Sequence, residues 1–495
     1  MSMFHSSFFY LSFFILSFFI SNISFLHQGN VHERSSEYQW PTDSAVVNKL
    51  RLWQDQKFGV LIHWGLYSVP GIVESWSICD EDWITRDTTM TYQQYKDWYW
   101  GLADAFRPVD FDPGQWAKVA QEAGMKYMIF TTKHHDGFCL WDSRQTDFTI
   151  ARHVYASDTR RDVLRHVLEA FRTRDFMIGT YFSKPDWHSQ YYWWDVYSTK
   201  GRNVNYDVSR YPWRWQQFRD YTYCQLEEIL SGYGTVDLLW LDGGWVCPEN
   251  RGQDIDMPHI AKMARQRQPG LLIVDRTIHG PYENYQTPER TVPEVQLPYP
   301  WESCIPLSDD WGWVPQPRLK TPQHVINTLI EVVAKGGNLV LGVGPTAEGV
   351  LQPEVVERLQ AIGRWLRTYG DAIYNTVPVP EYHATLLPPS TFQRFNLSAR
   401  RLATLDTSRT FQPFSLWFTG SKDGRTRYAL LALPDGESLP TELRWQGNNP
   451  RRGSAIRLLG SGRKLKWKQQ TDGIVVVSLP EDLPQEPLAL EFTLQ

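Results

Sequence analysis

The sequence predicts an α/β protein in which a (β/α)8-like TIM barrel is followed by a C-terminal antiparallel β-sandwich domain. Over residues 40–374, short apolar runs alternate with segments of helical spacing, which is typical of parallel strands joined by crossover helices. Several of these runs end directly in Gly, His, Asp or Arg, the position at which such barrels bind their ligands. Over residues 375–495 the pattern changes to short period-2 segments, which favours a small sandwich packed against the barrel.

Residues 1–28 are predicted to form a signal peptide or an N-terminal anchor. Phe8 to Phe25 is an almost unbroken apolar run, and the chain becomes polar at His27. No Lys or Arg precedes the run, no clear cleavage site follows it, and it is long enough to remain as an anchor. We therefore expect a secreted or periplasmic protein, which is membrane-anchored if the leader is not cleaved.

The composition narrows the classes of function. A net charge of -5 over 495 residues provides no basic footprint for nucleic acid and no polybasic patch for a membrane. The five cysteines include no Cys-x-x-Cys pair, and because their number is odd at least one is free, while one or two disulfides stay open. The 23 tryptophans favour a carbohydrate or aromatic-ligand site.

Six apolar runs are the predicted barrel strands, at residues 58–63, 126–132, 176–182, 236–241, 271–274 and 338–343. The predicted helices lie at residues 116–123, 158–174, 215–230, 260–266, 323–334 and 353–368. Residues 277–315 interrupt this alternation, and we interpret them as a functional loop because they carry Glu289 and Glu302. The proline-spaced residues 377–389 are predicted to be a linker.

Asp242 is the first candidate for chemistry. It ends the run at residues 236–241 and is followed by two glycines, so a buried strand would deliver its carboxylate to the rim of the barrel. The alternative is that Asp242 caps a helix or begins a turn, as many Asp-Gly pairs do. Trp240 and Trp245 favour the functional interpretation, because indoles suit the apolar face of a sugar ring.

Three histidines also follow predicted strands: His63 after the first, and His134 and His135 after the second. Adjacent residues of a strand point to opposite sides, so His134 and His135 are not expected to form a metal pair. No third ligand stands at metal spacing, and we expect no metal. Hydrogen bonding to the hydroxyl groups of a ligand is the favoured role of these two imidazoles, whereas a lone His63 is also consistent with a structural turn.

The combination of barrel-end carboxylates, His and Trp indicates glycoside hydrolysis without a cofactor. The chain has no phosphate-binding glycine loop and no Gly-x-Ser-x-Gly motif. Glycoside hydrolysis needs one carboxylate at the anomeric carbon and a second, protonated carboxyl at the leaving oxygen. Asp242 fits the first role because its strand holds it rigidly, and a glutamate of the loop at residues 277–315 fits the second.

Five motifs together resemble those of the α-L-fucosidases, glycoside hydrolase family 29, over residues 53–374. They are KFGVLIHWGLYSVPG, KYMIFTTKHHDGFCLWDS, GTYFSKPDWH, DLLWLDGGW and NLVLGVGPTAEGVL. The resemblance implies a barrel with some crossover helices missing, a following β-sandwich, and a metal-free retaining mechanism through a covalent fucosyl-enzyme.

The resemblance also implies roles for individual residues. Asp242 matches the nucleophile, and Glu289 in QTPER is preferred as the acid/base over Glu302 in PWESC. The matched or expected sugar contacts are His63, His134, His135, Tyr181, Arg276, Trp76 and Trp245, with Glu74 as a further candidate.

The implied partner is a fucosylated oligosaccharide or polysaccharide, and no partner protein is implied. Two alternatives remain. One is a glycosidase of the same fold acting on another sugar such as galactose, and the other is a catalytically inactive carbohydrate-binding protein. The presence of both Asp242 and Glu289 favours an enzyme, because a binding protein has no need of a matched pair of carboxylates.

Overall fold

The structure, a computed structural model, describes residues 38–81, 83–276, 282–386 and 414–495, so the predicted leader at residues 1–28 lies outside the described residues. The first part is a seven-stranded parallel sheet, a TIM-like half-barrel, in the strand order β5-β4-β3-β2-β1-β7-β6. These strands are β1 (Phe58–Ile62), β2 (Tyr127–Lys133), β3 (Met177–Ser183), β4 (Leu238–Asp242), β5 (Leu272–Val274), β6 (Glu302–Pro306) and β7 (Asn338–Val343). The predicted fold class is confirmed.

Eight α-helices surround this sheet in the described part of the chain. They are α1 (Ser44–Gln56), α2 (Tyr92–Gly101), α3 (Pro113–Glu122), α4 (Val163–Arg172), α5 (Pro212–Gly232), α6 (Met257–Arg267), α7 (Pro322–Ala334) and α8 (Pro353–Tyr369). Helix α4 shows why they form: the Asp162 side chain caps its N-terminus, and its buried residues include Val163, Val167 and Phe171, one stripe facing the core.

Helix α1, which the sequence analysis did not predict, packs at the amino ends of the strands. Trp53 joins a buried cluster inside the barrel that also contains Tyr127, Trp240 and Tyr285, and its ring stacks on Tyr285 with centroids 4.0 Å apart. The Asn338 amide, at the start of β7, donates a hydrogen bond to the Trp53 carbonyl over 2.8 Å. Side chains therefore fill the barrel interior at the amino ends of the strands. The carboxyl ends of the strands are where a site can form.

An irregular segment, residues 284–290, lies between the two edge strands β5 and β6. The Asn284 N–H donates to the Ile273 carbonyl of β5 over 2.8 Å. On the other side, the backbone N–H of Cys304 in β6 donates to the Pro288 carbonyl over 3.1 Å. The Cys304 carbonyl accepts from the backbone N–H of Arg290 over 2.9 Å. We call residues 284–290 the seam segment, because these hydrogen bonds fill the gap between the edges without forming a continuous strand.

Two predicted connections proved wrong. Residues 302–306 form the regular strand β6 inside the predicted loop, and they were missed because the sequence Glu-Ser-Cys-Ile-Pro has no apolar run. Residues 376–385 form the strand β8 where a linker was predicted, while residues 387–389 are outside the described part. Strand β8 is at a sheet edge, the position where prolines such as Pro378 and Pro380 are tolerated.

The C-terminal part contains two antiparallel sheets, with strand orders β13-β12-β16-β10-β9-β8 and β11-β15-β14. Their strands are β8 (Thr376–Thr385), β9 (Ser415–Ser421), β10 (Thr426–Ala432), β11 (Glu442–Trp445), β12 (Ile456–Leu458), β13 (Lys464–Leu465), β14 (Trp467–Gln469), β15 (Val475–Ser478) and β16 (Leu488–Thr493).

The predicted packing of these sheets against the barrel is confirmed. The Gln323 and Asn327 amides of α7 each donate to the Leu433 carbonyl over 2.7 Å, and the Trp365 indole of α8 donates to the Pro487 carbonyl over 2.6 Å.

All five cysteines are free thiols, so neither of the disulfides that the sequence left open is formed. Within the described ranges, we find no helix with the length and apolarity needed to cross a membrane.

Candidate active site

Asp242 lies at the carboxyl end of β4 with both carboxylate oxygens engaged. The Tyr181 hydroxyl donates to Oδ2 over 2.6 Å, and the Arg276 Nη1 donates to Oδ1 over 2.6 Å. Its side chain retains 16 % exposure, so the carboxylate is fixed in position and still open to a ligand. This arrangement agrees with the prediction that a strand delivers Asp242 to the rim, and it leaves the turn or helix-cap alternative without support.

Arg276 brings the two predicted catalytic carboxylates together. Its Nη2 donates to Glu289 Oε2 over 2.7 Å while Nη1 holds Asp242. Glu289 belongs to the seam segment, and its backbone bridges Cys304 of β6. The Arg276 backbone has a φ of 68°, a left-handed conformation that costs a non-glycine residue about 1–3 kcal/mol. We attribute this cost to the need to place one guanidinium between two carboxylates.

The charges around Asp242 and Glu289 keep both carboxylates ionised in the free protein. Burial alone would raise the pKa of Asp242, but Arg276, His135 and the Tyr181 hydrogen bond together hold that pKa well below its usual range. Burial would likewise raise the pKa of Glu289, and Arg276 again reverses the effect, so that the net pKa is lowered. The two groups differ in access, because the Glu289 side chain is 37 % exposed.

His134 and His135 point into the same space, which corrects the expectation that they face opposite sides. Their ring centroids are 4.2 Å apart. The reason is that β2 ends at Lys133 with a register shift between Thr131 and Lys133, so neither histidine lies on regular strand. The Ser75 hydroxyl is hydrogen-bonded to His134 Nδ1, and Ser183 Oγ lies 2.5 Å from His135 Nδ1. The Nε2 atoms are thereby left for a ligand.

The imidazoles of the site are neutral at ordinary pH. Burial lowers the pKa of His63 to about 3 and that of His135 to about 4, and it places the pKa of His134 well below the usual value. His63 belongs to the same group, since its ring centroid is 5.7 Å from that of His134 and 5.2 Å from that of Tyr181. A neutral imidazole both donates and accepts, as sugar hydroxyl groups require.

Three indoles enclose His135 on its outer side. The ring centroids of Trp76, Trp187 and Trp245 each lie 5.1 Å from that of His135. The Arg202 guanidinium lies over Trp76 and Trp245, at 4.9 and 5.2 Å from their centroids. The predicted contacts Trp76 and Trp245 are therefore at the site, whereas the role of Trp187 was not anticipated although its motif was noted.

Trp311 is a site residue that the sequence analysis missed. Its ring stacks on His63 with centroids 5.3 Å apart. The backbone N–H groups of Trp311 and Gly312 donate to Glu74 Oε1 over 2.7 and 2.9 Å, and burial raises the pKa of Glu74 to about 7. Glu74 thus secures the loop of Trp311. The clue in the sequence was the Trp-Gly-Trp triplet at 311–313 within the segment predicted to be functional.

Glu302, the alternative acid/base, is not brought together with Asp242. It is the first residue of β6, at the amino end of the sheet, where it pairs with Asn338. The residue is completely buried, and the Tyr127 hydroxyl is hydrogen-bonded to its Oε2 at 2.6 Å. A carboxyl in this position has no access to the leaving group of a ligand above Asp242.

One group of side chains has the composition of a metal site. Potential ligand atoms of His134, His135 and Asp242 lie within 4.8 Å of one another. Arg276 and Tyr181 already occupy the two oxygens of Asp242, and the nearby guanidinium opposes a second cation. Three ligands also fall short of a closed tetrahedral site. The arrangement suits hydrogen bonding to a polyol better than coordination of a metal.

Comparison with known proteins gives a consistent family. A sequence model described as Alpha-L-fucosidase matches residues 25–371. The tissue alpha-L-fucosidase of Mus musculus is 28% identical over 461 residues, which cover 89% of this chain and 90% of that protein. The plasma alpha-L-fucosidase of Homo sapiens is 25% identical over 465 residues, covering 89% and 88% respectively.

Two solved structures show the same architecture. Alpha-L-fucosidase isoenzyme 1 from Paenibacillus thiaminolyticus is 27% identical with a TM-score of 0.69, covering 91% of this chain and 100% of that one. A GH29 alpha-L-fucosidase from Bacteroides thetaiotaomicron, described as a trapped covalent intermediate with 2-fluoro-fucosyl fluoride, is 25% identical with a TM-score of 0.68, covering 92% and 98%.

Proposed function

The chain belongs to the α-L-fucosidase family of glycoside hydrolases, and from that premise we propose that Asp242 and Glu289 remove terminal α-L-fucose by double displacement with retention of configuration. The observation that carries this proposal is the guanidinium of Arg276, which holds one oxygen of each carboxylate at 2.6 and 2.7 Å. A shared guanidinium keeps the two carboxyl groups close together, as a retaining mechanism needs, since the carboxyl groups of retaining enzymes lie about 5–5.5 Å apart.

In the first step, Asp242 attacks the anomeric carbon while protonated Glu289 gives its proton to the departing oxygen. The attacking group is an ionised carboxylate fixed through both oxygens, so little reorganisation precedes the reaction. In the second step, Glu289 removes a proton from water, the water attacks the anomeric carbon, and Asp242 is released as a carboxylate. Tyr181 and Arg276 stabilise that carboxylate when it re-forms.

Binding of the sugar is assigned to the neutral imidazoles and the indoles. His63, His134 and His135 offer donor and acceptor nitrogens to the hydroxyl groups of fucose. Trp76 and Trp245 offer apolar faces, which suit the C–H groups and the methyl group of a deoxysugar. The trapped 2-fluoro-fucosyl intermediate described for the Bacteroides thetaiotaomicron relative supports both the sugar and the covalent route. The proposed substrate is a fucosylated oligosaccharide or polysaccharide.

The decisive experiment replaces Asp242 by glycine and assays nitrophenyl α-L-fucoside. We expect kcat to fall by about a thousandfold or more, because the covalent route is lost, and azide or formate to restore part of the rate by filling the vacated space. Retained activity in this variant would disprove the role of Asp242. Wild-type hydrolysis of nitrophenyl β-D-galactoside instead would indicate the galactose alternative, and an inert wild type that binds fucose would indicate a binding protein.

A further inference from the structure

Glu302 occupies an unusual position, a carboxyl group sealed inside the barrel directly below the site. Its Oε2 is hydrogen-bonded to the Tyr127 hydroxyl at 2.6 Å. Its Oε1 and the Trp240 Nε1 are both buried, and neither has a hydrogen-bond partner among the described residues. The indole N–H of Trp240 is nonetheless close enough to act on the pKa of Glu302. Each of these two unpartnered atoms is the hydrogen-bonding group available to the other.

Trp240 connects this carboxyl to the nucleophile by two routes. The Arg276 guanidinium lies over the Trp240 ring, 4.5 Å from its centroid. The Tyr181 ring is stacked on Trp240, with centroids 5.4 Å apart and planes inclined by 25°. Arg276 and Tyr181 are the two side chains that hold the oxygens of Asp242. Any rotation of the Trp240 indole would consequently move both supports of the nucleophile.

We propose that Glu302 is a positioning residue, which fixes the Trp240 indole and through it holds Arg276 and Tyr181 in place against Asp242. This inference rests on the proposed function, since it assigns a role in the same site. The contribution is geometric: a misplacement of about 1 Å in a catalytic group is enough to cost about a hundredfold in rate.

The neutral carboxyl is the form that fits this role. Burial raises the pKa of Glu302 to about 8, against the opposing effects of Tyr127, Trp240 and Arg276. Tyr285 of the seam segment faces it from the remaining side and is itself a neutral phenol. The Tyr127 hydroxyl donates to Oε2, and Oε1 remains as an acceptor for the indole N–H. A glutamine amide has the same shape: its oxygen can accept the indole N–H, and its NH2 group can donate to the Tyr127 oxygen, because a hydroxyl both donates and accepts.

The test compares Glu302→Gln with Glu302→Leu, using nitrophenyl α-L-fucoside over a range of pH. We expect Glu302→Gln to keep the wild-type kcat and pH profile, and Glu302→Leu to lower kcat by about tenfold or more. Because a displaced Arg276 no longer depresses the pKa of Glu289, the alkaline limb of kcat/KM should also move to higher pH in Glu302→Leu. The charged and titratable groups facing Glu289 are Arg276, Asp242, Arg290, the imidazoles of His63 and His135 and, from β6, Cys304.

Glu228 on α5 provides a matched control, because its side chain, which is only 8 % exposed, also holds an indole. Its Oε2 accepts from the Trp141 indole over 3.0 Å, and its other partners are residues 143–145, away from Asp242. We expect Glu228→Leu to lower the melting temperature without moving the alkaline limb. If Glu302→Leu does not fold, Trp240→Phe keeps the aromatic ring but removes the N–H, and it should shift the limb in the same direction.

The outcomes separate this inference from the function on which it rests. A wild type without activity on any fucoside refutes the proposed function. An active wild type with Glu302→Leu unchanged in kcat and pH profile refutes the positioning role. Glu302→Gln as impaired as Glu302→Leu also refutes it, because an ionisable group would then be required. Within a cycle of Glu302→Leu and Trp240→Phe, we expect the double variant to be no worse than the poorer single one.

Discussion

Tyr181 holds the Asp242 carboxylate through one atom, its hydroxyl oxygen. Its ring belongs to the barrel interior and is packed on Trp240, while its hydroxyl reaches the carboxylate. We expect Tyr181→Phe to keep the fold, because the ring remains, and to lower kcat/KM by about ten- to a hundredfold. A hydrogen bond to a charged group contributes about 1.5–3 kcal/mol. Kinetics on nitrophenyl α-L-fucoside and a thermal melt measure the two effects, and an unchanged kcat/KM would contradict the assigned contact.

Glu289 sets the pH dependence of the reaction. The first step needs its protonated form, yet Arg276 lowers its pKa below the ordinary value, so the protonated fraction of the free protein is small at neutral pH. Because Asp242 has the still lower pKa, it stays ionised as the pH falls. We expect kcat/KM for a fucosylated oligosaccharide to rise from pH 7 to pH 5 by about tenfold per unit.

The control for this pH dependence is Glu289→Ala assayed with an aryl fucoside, whose leaving group needs little protonation. That variant should show a flat profile over the same range. A wild type whose kcat/KM is constant between pH 7 and pH 5 would show that Glu289 is not the proton donor, or that Arg276 does not control its ionisation.

At the scale of the elements, the turn after β2 places both histidines. Gly137 in this turn has a φ of 83°, and a Cβ there would lie 2.2 Å from Asp186 Oδ1. Asp186 is buried and paired with Lys133 at 3.0 Å, and the backbone N–H of Trp187 donates to the His135 carbonyl over 2.8 Å. A change at Gly137 therefore reaches His135 through the backbone.

We expect Gly137→Ala to lower the melting temperature and to weaken fucose binding, because both the left-handed backbone and the contact with Asp186 oppose a side chain. Gly101→Ala is the matched control: it has a φ of −64°, ends α2, and has open space around it. Calorimetry and titration with fucose measure the two variants. Equal stability of the two would contradict the packing around Gly137.

An element could be predicted from the sequence when its buried residues are apolar and follow the spacing of a strand or a helix. Strand β4 is a continuous apolar run because both its faces are covered, and α4 shows its stripe directly. Strand β6 buries polar residues, and β8 contains prolines because it lies at a sheet edge. Neither strand therefore shows the apolar run or the alternation that identifies a strand in a sequence. Asp242 and His63 were found because they follow apolar runs, whereas Trp311 depends on a distant contact with Glu74 that no local pattern records.

At the scale of the whole molecule, the barrel and the C-terminal sheets share hydrogen bonds. Asn327 of α7 donates to the Leu433 carbonyl over 2.7 Å and accepts from the Leu433 N–H over 3.1 Å. The change of periodicity near residue 375 indicated two parts, but it could not indicate which helix receives the sheets. That depends on the side chains that meet after folding.

We expect Asn327→Ala to lower the free energy of unfolding by about 1–3 kcal/mol, because two hydrogen bonds are lost and a buried backbone group is left without a partner. The value of kcat/KM should stay at the wild-type level, since the side-chain hydrogen bonds of Asn327 go to Leu433 and to no residue of the site. Denaturant titration and steady-state kinetics give both numbers. A loss of activity in a folded variant would show that the sheets influence the site.

The seam segment has a consequence for how this architecture can change. Glu289 belongs to the seam segment, which is attached to β5 and β6 by individual hydrogen bonds. Asp242, in contrast, lies on a strand of the regular parallel sheet. Lengthening or exchanging the seam segment leaves the hydrogen bonds between the parallel strands intact. The site is kept provided that a carboxyl group of the new segment still accepts a hydrogen bond from the guanidinium of Arg276. The parallel sheet can therefore stay constant while the seam segment is exchanged. New glycan preferences are best engineered by replacing the seam segment.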